Sequence, residues 1–339
     1  MTSKLPESQQ PPSRVLLGAP PTHWLYNPSP PSYDLTRPPA PAFPPPTPST
    51  TIQLSTTRDP ILISPAQTAL VIIDMQNLFL SPALGAAPGS PANLAKEVLL
   101  QSTIPAARKA GIQVVWLNWG LTEEDVENMP PGIVKAFAMG SKRREVSESE
   151  NPSEKGREKE QELRNDSEKA SSSSGSVTPP TKGLGLSIGP VTLADGTTVD
   201  GGRLLMRNTW NTALPPDLDA VFKEGQQLPQ KPDIWLHKSR ISGLGQTGGN
   251  QRNVQALQEA GIKTLLFAGT KTDVCVLSSL LDAWNTGFDV VLLRDACGTT
   301  SPRGVGEAVE WNTERIWGWV CGSGDLVRGV EGMLRKEGR

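Results

Sequence analysis

The sequence of 339 residues predicts an α/β fold, in which a doubly wound, mostly parallel six-stranded sheet carries helices on both faces. Short runs that are apolar throughout alternate with longer stretches of helical periodicity, and this alternation is typical of strands buried on both faces. In addition, Gly111, Gly261 and Gly287 each follow a helical stretch and precede an apolar run. Glycine in that position commonly ends a helix, so the chain is predicted to alternate helix and strand.

Six apolar runs are the predicted strands, because each is short and apolar throughout. They occupy residues 68–74, 112–118, 233–238, 264–269, 288–295 and 317–321. The longer stretches of helical periodicity are the predicted helices. They occupy residues 91–110, 248–260, 275–286, 303–314 and 324–336. The carboxyl ends of parallel strands share one edge of a sheet, so polar residues that follow these strands are candidates for chemistry.

Two segments lack any apolar period and are predicted to be disordered. Residues 1–55 form a tail crowded with Pro, Ser and Thr, and residues at about 141–185 carry mixed charges and a serine run. The apolar segments on both sides of the second stretch need each other to form a core. Residues 56–339 are therefore predicted to form one domain that this charged and Ser-rich insertion interrupts.

Composition excludes several functions. The formal net charge is −2 without a lone basic block, which argues against nucleic acid as a partner. There is no long apolar run for a membrane span or a secretory signal, so we expect a cytoplasmic protein. Cys275, Cys297 and Cys321 have no CxxC spacing, and reduced thiols are expected. His23 and His237 are too few for a histidine-rich metal site, so we expect no metal and no cofactor.

Three side chains with useful chemistry stand at or just after predicted strand ends. Asp74 and Lys238 end two strands, and Cys275 opens the predicted helix 275–286, where the helix dipole is expected to lower the thiol pKa. Asp74 would take the thiol proton and later protonate a leaving amine, while Lys238 would hold the carboxylate and stabilise the thiolate. Taken singly, a buried cysteine, a capping carboxylate and a solvated lysine are equally ordinary interpretations.

The segments VIIDMQN, HKSRISG and FAGTKTDVCVLSSLLDAWNTGFDVVLLRDACGTTS together resemble the isochorismatase-like cysteine hydrolase superfamily. The resemblance covers roughly residues 65–325 apart from the insertion. It implies an Asp-Lys-Cys triad, here Asp74, Lys238 and Cys275, that cleaves a C–N bond of a small amide or ureido substrate through a covalent thioester. It also implies an oxyanion hole formed by the amides of Lys271 and Cys275, beside a cis peptide that joins Thr270 to Lys271.

Local features are similar to the ureidoacrylate and carbamoyl amidohydrolases within that superfamily. They are WLNWG at residues 116–120, LLMRNTWNTALPPDL at 204–218 and WNTERIWGWV at 311–320. Asn118 and Trp119 follow a strand and are candidate substrate-binding residues, with packing and turn formation as the alternative. Gln76 is a third candidate, which would position a water, a substrate group or the Asp74 carboxylate, or else cap a loop.

Two other functions are kept as alternatives. Isochorismatase-type cleavage of an enol ether requires only an acid such as Asp74 to protonate the vinyl carbon. A non-catalytic scaffold would recruit partners through the Pro-rich tail and the insertion. The related nicotinamidases use a histidine-rich metal site. With only His23 and His237, this sequence cannot form one. Relatives often form dimers or larger assemblies, and the resemblance permits a homo-oligomer that acts on a small-molecule substrate.

Overall fold

The computed structural model describes residues 14–37, 51–138, 182–247 and 249–338. Its strands are β1 (Val15–Leu17), β2 (Trp24–Pro28), β3 (Pro31–Asp34), β4 (Ile52–Leu54), β5 (Ile61–Ile63), β6 (Thr68–Ile73), β7 (Gln113–Trp119), β8 (Pro190–Thr192), β9 (Thr198–Asp200), β10 (Ile234–Lys238), β11 (Thr264–Thr270), β12 (Asp289–Gly298) and β13 (Trp319–Cys321).

The α-helices are α1 (Asn77–Leu80), α2 (Pro91–Val98), α3 (Ile104–Lys109), α4 (Glu123–Glu127), α5 (Pro131–Ala138), α6 (Pro216–Gln226), α7 (Gln251–Glu259), α8 (Leu277–Asn285), α9 (Arg303–Asn312) and α10 (Ser323–Lys336). Wider π-type turns join or extend them at Leu99–Thr103, Thr272–Val276 and Thr313–Trp317. None of the helices in the described ranges combines the length and the apolar character that a membrane span requires.

The central sheet has six strands in the order β10-β7-β6-β11-β12-β13, and every pair in it is parallel. The prediction of a doubly wound, six-stranded parallel sheet is confirmed. From β6 the chain builds outward through β7 to β10, then returns to place β11 beside β6 and continues to β13. The direction of winding therefore reverses between β6 and β11, and ligands of such sheets bind at the carboxyl side of that reversal.

Each face of the central sheet buries its own apolar cluster. Along β6, Leu70 and Ile72 belong to the cluster on one face, and Val71 and Ile73 belong to the cluster on the other. This alternation follows from the period of two along a strand. Helices α2, α3, α6 and α10 contribute to the first cluster, and α7, α8 and α9 contribute to the second. The six strands are thus held at fixed positions by packing on both sides.

The prediction of a disordered tail over residues 1–55 is wrong for residues 14–37 and 51–55. Strands β1 to β3 join β5 and β4 in a separate five-stranded sheet. Trp24 and Tyr33 pack on Trp319, with ring centroids 5.1 and 5.7 Å apart. Apolar rings provide enough buried surface to order a Pro-rich segment. Residues 1–13 and 38–50 of the predicted tail lie outside the described residues.

The predicted insertion at 141–185 lies mostly outside the described residues, so its disorder stays a prediction. Residues 182–185 are described, and Leu184 is buried. The insertion therefore ends earlier than predicted, because an apolar side chain near its carboxyl end packs against the domain. The division of the chain into one domain with an insertion stays a prediction.

A buried charged contact fastens the N-terminal segment to the central sheet. Arg37 donates from Nη1 to Asp289 Oδ2 at 2.7 Å and from Nη2 to Asp289 Oδ1. The same carboxylate accepts hydrogen bonds from Trp24 Nε1 at 2.7 Å and from Thr264 Oγ1 at 2.8 Å. Asp289 begins β12, so this contact joins the start of the chain to a strand near its end.

We expect Arg37→Ala to lower the free energy of unfolding by about 3 kcal/mol, because it leaves the Asp289 carboxylate buried without its countercharge. Urea denaturation of the purified protein measures this change. Arg303→Ala is the matched control, because it removes an exposed pair with Glu307 and should leave the free energy nearly unchanged. Equally small effects of both substitutions would contradict the role given to the Arg37 contact.

Candidate active site

Asp74, Lys238 and Cys275 lie together at the carboxyl edge of the central sheet, where its winding reverses. Asp74 follows β6, Lys238 ends β10, and Cys275 lies in the turn Thr272–Val276 that follows β11. Lys238 Nζ is 2.9 Å from Asp74 Oδ2, and the Cys275 thiol interacts with both charged groups. Their exposures are 0% for Asp74, 1% for Lys238 and 6% for Cys275, so the group is enclosed by protein.

Asp74 is held by the backbone of the neighbouring strand β7. Its Oδ1 accepts a hydrogen bond from the Trp119 amide at 3.2 Å, and its own amide donates to the Leu117 carbonyl at 3.2 Å. Its φ of 54° is left-handed, a conformation that Asp tolerates better than most residues. The chain therefore turns sharply at the end of β6 and directs the carboxylate across β7.

Lys238 reaches the same carboxylate from the other side of β7. Its Nζ donates to the carbonyls of Ile241 at 2.8 Å and Arg240 at 3.4 Å, and it lies 4.2 Å from the ring centroid of Trp119. The same Nζ forms the buried ion pair with Asp74 Oδ2. Carbonyl oxygens and an aromatic face partly replace the water that this cation has lost.

Cys275 lies in a π-type turn that leads directly into α8. The amides of Val274 and Val276 both donate to the Lys271 carbonyl at 3.1 Å. The peptide bond that joins Thr270 to Lys271 is cis, as the resemblance implied. The side chains of the turn and of α8 pack into the second of the two clusters on the sheet.

The expectation of a lowered thiol pKa is wrong. Burial raises the pKa of Cys275 to about 12; the Lys238 ammonium opposes this rise and the Asp74 carboxylate adds to it. Burial also raises the pKa of Asp74, while Lys238 acts to lower it. The favourable dipole of a helix start is outweighed because the thiol has almost no contact with water. The sulfur is therefore protonated at neutral pH before any substrate binds.

The side-chain amide of Gln76 is fully used by the backbone around the site. Its Nε2 donates to the carbonyls of Trp119 and Thr212, both at 2.8 Å, and its Oε1 accepts from the Trp119 amide at 3.1 Å. These contacts tie the end of β7 to the segment at residue 212. Among the roles considered for Gln76, this geometry favours positioning over direct contact with a substrate.

Asn118 and Trp119 carry polar atoms that are buried without a partner. Nine buried side-chain polar atoms in the described part of the chain have no hydrogen bond. Three of them are Asn118 Oδ1, Asn118 Nδ2 and Trp119 Nε1, at consecutive positions beside Asp74 and Lys238. Buried polar groups are nearly always satisfied, so this concentration at one strand end is typical of a binding site.

An apolar cap, which the sequence patterns did not reveal, covers the end of β7. We call it the cap cluster; its buried members are Trp119, Leu121, Met129, Leu184, Leu205 and Met206. Phe137 of α5 packs on Trp119 with ring centroids 5.4 Å apart. The cap cluster draws on chain from both sides of residues 139–181, and it shields the ring on which Lys238 rests.

His237 makes its side-chain hydrogen bond within its own strand β10. Its Nδ1 accepts a hydrogen bond from Trp235 Nε1 at 3.3 Å. Burial lowers the pKa of His237 to about 4, with a smaller contribution in the same direction from Arg207. In the described part of the chain, His, Cys, Asp and Glu side chains form no group of three or more that would suit a metal ion.

Comparison with known proteins gives consistent matches. The family model described as the isochorismatase domain matches residues 206–322. Ureidoacrylate amidohydrolase RutB of Agrobacterium fabrum is 28% identical over 280 residues, which span 79% of this chain and 92% of that protein. RutB of Rhizobium rhizogenes is 28% identical over 294 residues, which span 83% and 91%.

Solved structures also align with most of the chain. A cysteine hydrolase from Pseudomonas syringae aligns with a TM-score of 0.47 and 17% identity, over 80% of this chain and 95% of that one. N-carbamoylsarcosine amidase from Thermoplasma acidophilum aligns with a TM-score of 0.42 and 17% identity, over 76% and 96%.

The sequence matches identify the protein as a hydrolase. Residues 206–322 of the chain match the isochorismatase domain, and most of its length is similar to ureidoacrylate amidohydrolases.

We expect almost no thiolate absorbance from the native protein at pH values near the ordinary thiol pKa of 9.0, because burial raises the pKa of Cys275 and Cys321 to about 12 and also raises that of Cys297. Unfolding at the same pH should release the absorbance of all three thiolates. Since the folded pKa values are raised, the stability they confer is complete below pH 9 and is lost towards pH 12. One thiolate equivalent at neutral pH that Cys275→Ala abolishes would contradict this expectation.

Proposed function

We propose that this hydrolase is a cysteine amidohydrolase that cleaves a C–N bond of a small amide or ureido substrate. The observation that carries the proposal is the enclosed contact among the Cys275 thiol, the Asp74 carboxylate and the Lys238 ammonium. A nucleophile, a proton acceptor and a cation that orients the acceptor are the groups that acyl transfer requires. The proposal also rests on the similarity to relatives that are named amidohydrolases.

In the proposed mechanism, proton transfer accompanies attack because the resting thiol is protonated. Asp74 takes the proton from Cys275 Sγ as the sulfur bonds to the substrate carbonyl carbon. Lys238 compensates the negative charge in the site, and the amides of Lys271 and Cys275 bind the oxygen anion. Asp74 then gives its proton to the leaving nitrogen. Water next attacks the thioester, with Asp74 again as the base, and releases the acyl product and the thiol.

The proposed substrate class is a ureido acid or a related small amide. The relatives are named for ureidoacrylate, in which the scissile carbonyl lies between two nitrogens. The Asn118 amide offers one donor and one acceptor, both without partners among the described residues, and a ureido group offers the complementary pair. We assign Trp119 Nε1 to a further acceptor on the substrate. Gln76 is proposed to fix the backbone on which both residues depend.

Isochorismatase-type hydrolysis of an enol ether is a second candidate function. Burial raises the pKa of Asp74, against the effect of Lys238, and a raised pKa increases the fraction of carboxyl that can donate a proton to a vinyl carbon. Cys275 would have no covalent role in that reaction. The two candidates differ in whether the sulfur is needed and in which product is released.

We also propose that residues 56–339 form one catalytic domain of a cytoplasmic protein. All three cysteines are free thiols, which fits a reducing compartment. The segment 14–37 belongs structurally to the same unit through its contacts with Trp319 and Asp289.

We expect Cys275→Ala to abolish ammonia release from small amides and ureido acids, because no thioester forms without the sulfur. Wild type and variant are assayed in parallel on a panel that also contains isochorismate, and both ammonia and pyruvate are followed. Cys297→Ala is the matched control, because Cys297 is a partly buried thiol on β12, outside the group of Asp74, Lys238 and Cys275, and its loss should not affect turnover.

Ammonia release that survives Cys275→Ala would rule out the covalent route. Pyruvate release from isochorismate that is unaffected by the substitution would instead support enol-ether hydrolysis through Asp74.

We expect kcat/KM to fall as the pH drops through the raised pKa of Asp74, because the protonated carboxyl cannot accept the thiol proton. Lys238 lowers the pKa of Asp74, so Lys238→Met should raise that pKa further and move the acid limb of the profile to higher pH. Lys231→Met is the control, because Lys231 Nζ contacts the Pro65 carbonyl and lies outside the site. If the acid limb of Lys238→Met lay at the same pH as that of the wild type, a group other than Asp74 would control it.

A further inference from the structure

The turn that carries Cys275 is fastened to the loop that follows β12. Asp273, two residues before the nucleophile, accepts a hydrogen bond at Oδ1 from Thr299 Oγ1 and one at Oδ2 from Ser301 Oγ at 2.7 Å. Thr299 Oγ1 also accepts from the Ser301 amide at 3.1 Å, so the two hydroxyl residues are held relative to each other. The Asp273 carboxylate thus has both oxygens bound by the neighbouring loop.

A second contact fixes the start of the same turn. Thr270 Oγ1 donates to the Gly298 carbonyl at 3.1 Å, and Thr270 pairs with Gly298 in the register of β11 and β12. Inside the turn, the Val274 and Val276 amides both converge on the Lys271 carbonyl. The turn is therefore anchored at Thr270, which ends the strand before it, and at Asp273 within it, and Cys275 lies two residues beyond Asp273.

We propose that Asp273 is a positioning residue, which holds the nucleophile turn against residues 298–301 so that Cys275 Sγ and the amides around it keep the geometry needed for acyl transfer. This inference rests on the proposed amidohydrolase function. The two proposed oxyanion donors lie on either side of Asp273: Lys271 directly precedes the turn and Cys275 lies in it. Displacement of reacting groups by about 1 Å can cost about 100-fold in rate, so a small loosening of the turn is sufficient.

Asp273 acts through this geometry and not through an electrostatic effect on the Cys275 thiol. The groups that influence the Cys275 pKa after burial are Lys238 and Asp74, and Asp273 is not among them. Burial acts to raise the pKa of Asp273, yet hydrogen bonds from Thr299 and Ser301 and the charge of Lys271 lower it overall. The carboxylate is therefore ionised at neutral pH and strengthens both hydroxyl contacts.

The test compares Asp273→Ala with Asp273→Asn. We expect Asp273→Ala to lower kcat about 30-fold while KM stays within about twofold, because the turn loosens without a change in the substrate contacts. Asp273→Asn should recover kcat to within about threefold of wild type, because hydroxyl groups can reorient to bond an amide. The acid limb of the pH profile should not move, because Asp74 is untouched.

Asp295→Ala is the matched control for stability. Asp295 lies on β12 and, like Asp273, accepts two hydrogen bonds, from the Ser323 amide at 2.7 Å and from Ser323 Oγ at 2.9 Å. These bonds hold the start of α10 and not the turn that contains Cys275. The substitution Asp295→Ala should lower the melting temperature and leave kcat unchanged. If Asp273→Ala behaved in the same way, Asp273 would be structural only and the proposal would be overturned.

A mutant cycle tests whether the loop hydroxyls are the partners that matter. The double substitution Thr299→Val with Ser301→Ala should lower kcat as much as Asp273→Ala does. All three substitutions together should lower kcat no further than Asp273→Ala alone or the double substitution alone. Additive losses would overturn the proposed coupling.

Amide hydrogen exchange of the peptide that spans residues 270–277 gives a readout without substrate. Asp273→Ala should speed this exchange at least about tenfold and Asp295→Ala should not, since exchange reports local opening. If wild type turned over none of the panel, the proposed function would fail while exchange still tested the anchor. Unchanged exchange in Asp273→Ala would overturn the positioning role in either case.

Discussion

The ion pair between Asp74 and Lys238 is the contact around which the candidate site is organised. Both side chains are fully enclosed, and two charges taken out of water lose several kcal/mol of hydration free energy each by general estimates. The protein offsets this loss with the Trp119 amide on the carboxylate and with two carbonyls and an indole face on the ammonium. The pair bridges β6 and β10 across β7, so the strand order β10-β7-β6 is needed to form it.

This arrangement also determines the ionisation state of Cys275, the proposed nucleophile. A thiol that shares an enclosed space with a carboxylate and an ammonium is kept neutral by burial, and its proton stays within reach of the carboxylate. In such a site, the charge of the thiolate would develop only as the new bond to carbon forms. The cap cluster over Trp119 supports this, because it excludes the water that would otherwise hydrate the charges.

The sequence predicts the central sheet well, because its evidence is local: apolar strand runs, helical periods and glycines that end helices. The same patterns placed Asp74, Lys238 and Cys275 at the ends or just after the ends of strands. They did not reveal the strands at residues 15–34, since Trp24 and Tyr33 are ordered by Trp319, which is remote in the chain. The direction of the Cys275 pKa shift was also missed. Desolvation of Cys275 depends on the second apolar cluster on the sheet, whose members come from segments that are distant in the chain.

The Arg37 contact has a consequence for folding of the chain during synthesis on the ribosome. Arg37 and Asp289 are 252 positions apart, and Trp24 reaches the same carboxylate across 265 positions. At ordinary synthesis rates, an interval of about 10–50 s separates the emergence of the arginine from that of its partner. During that interval the indole ring of Trp24 and the phenol ring of Tyr33 have no Trp319 to pack against. The first described segment of the chain is therefore among the last to pack. A nascent chain halted before β12 would expose these rings to chaperones.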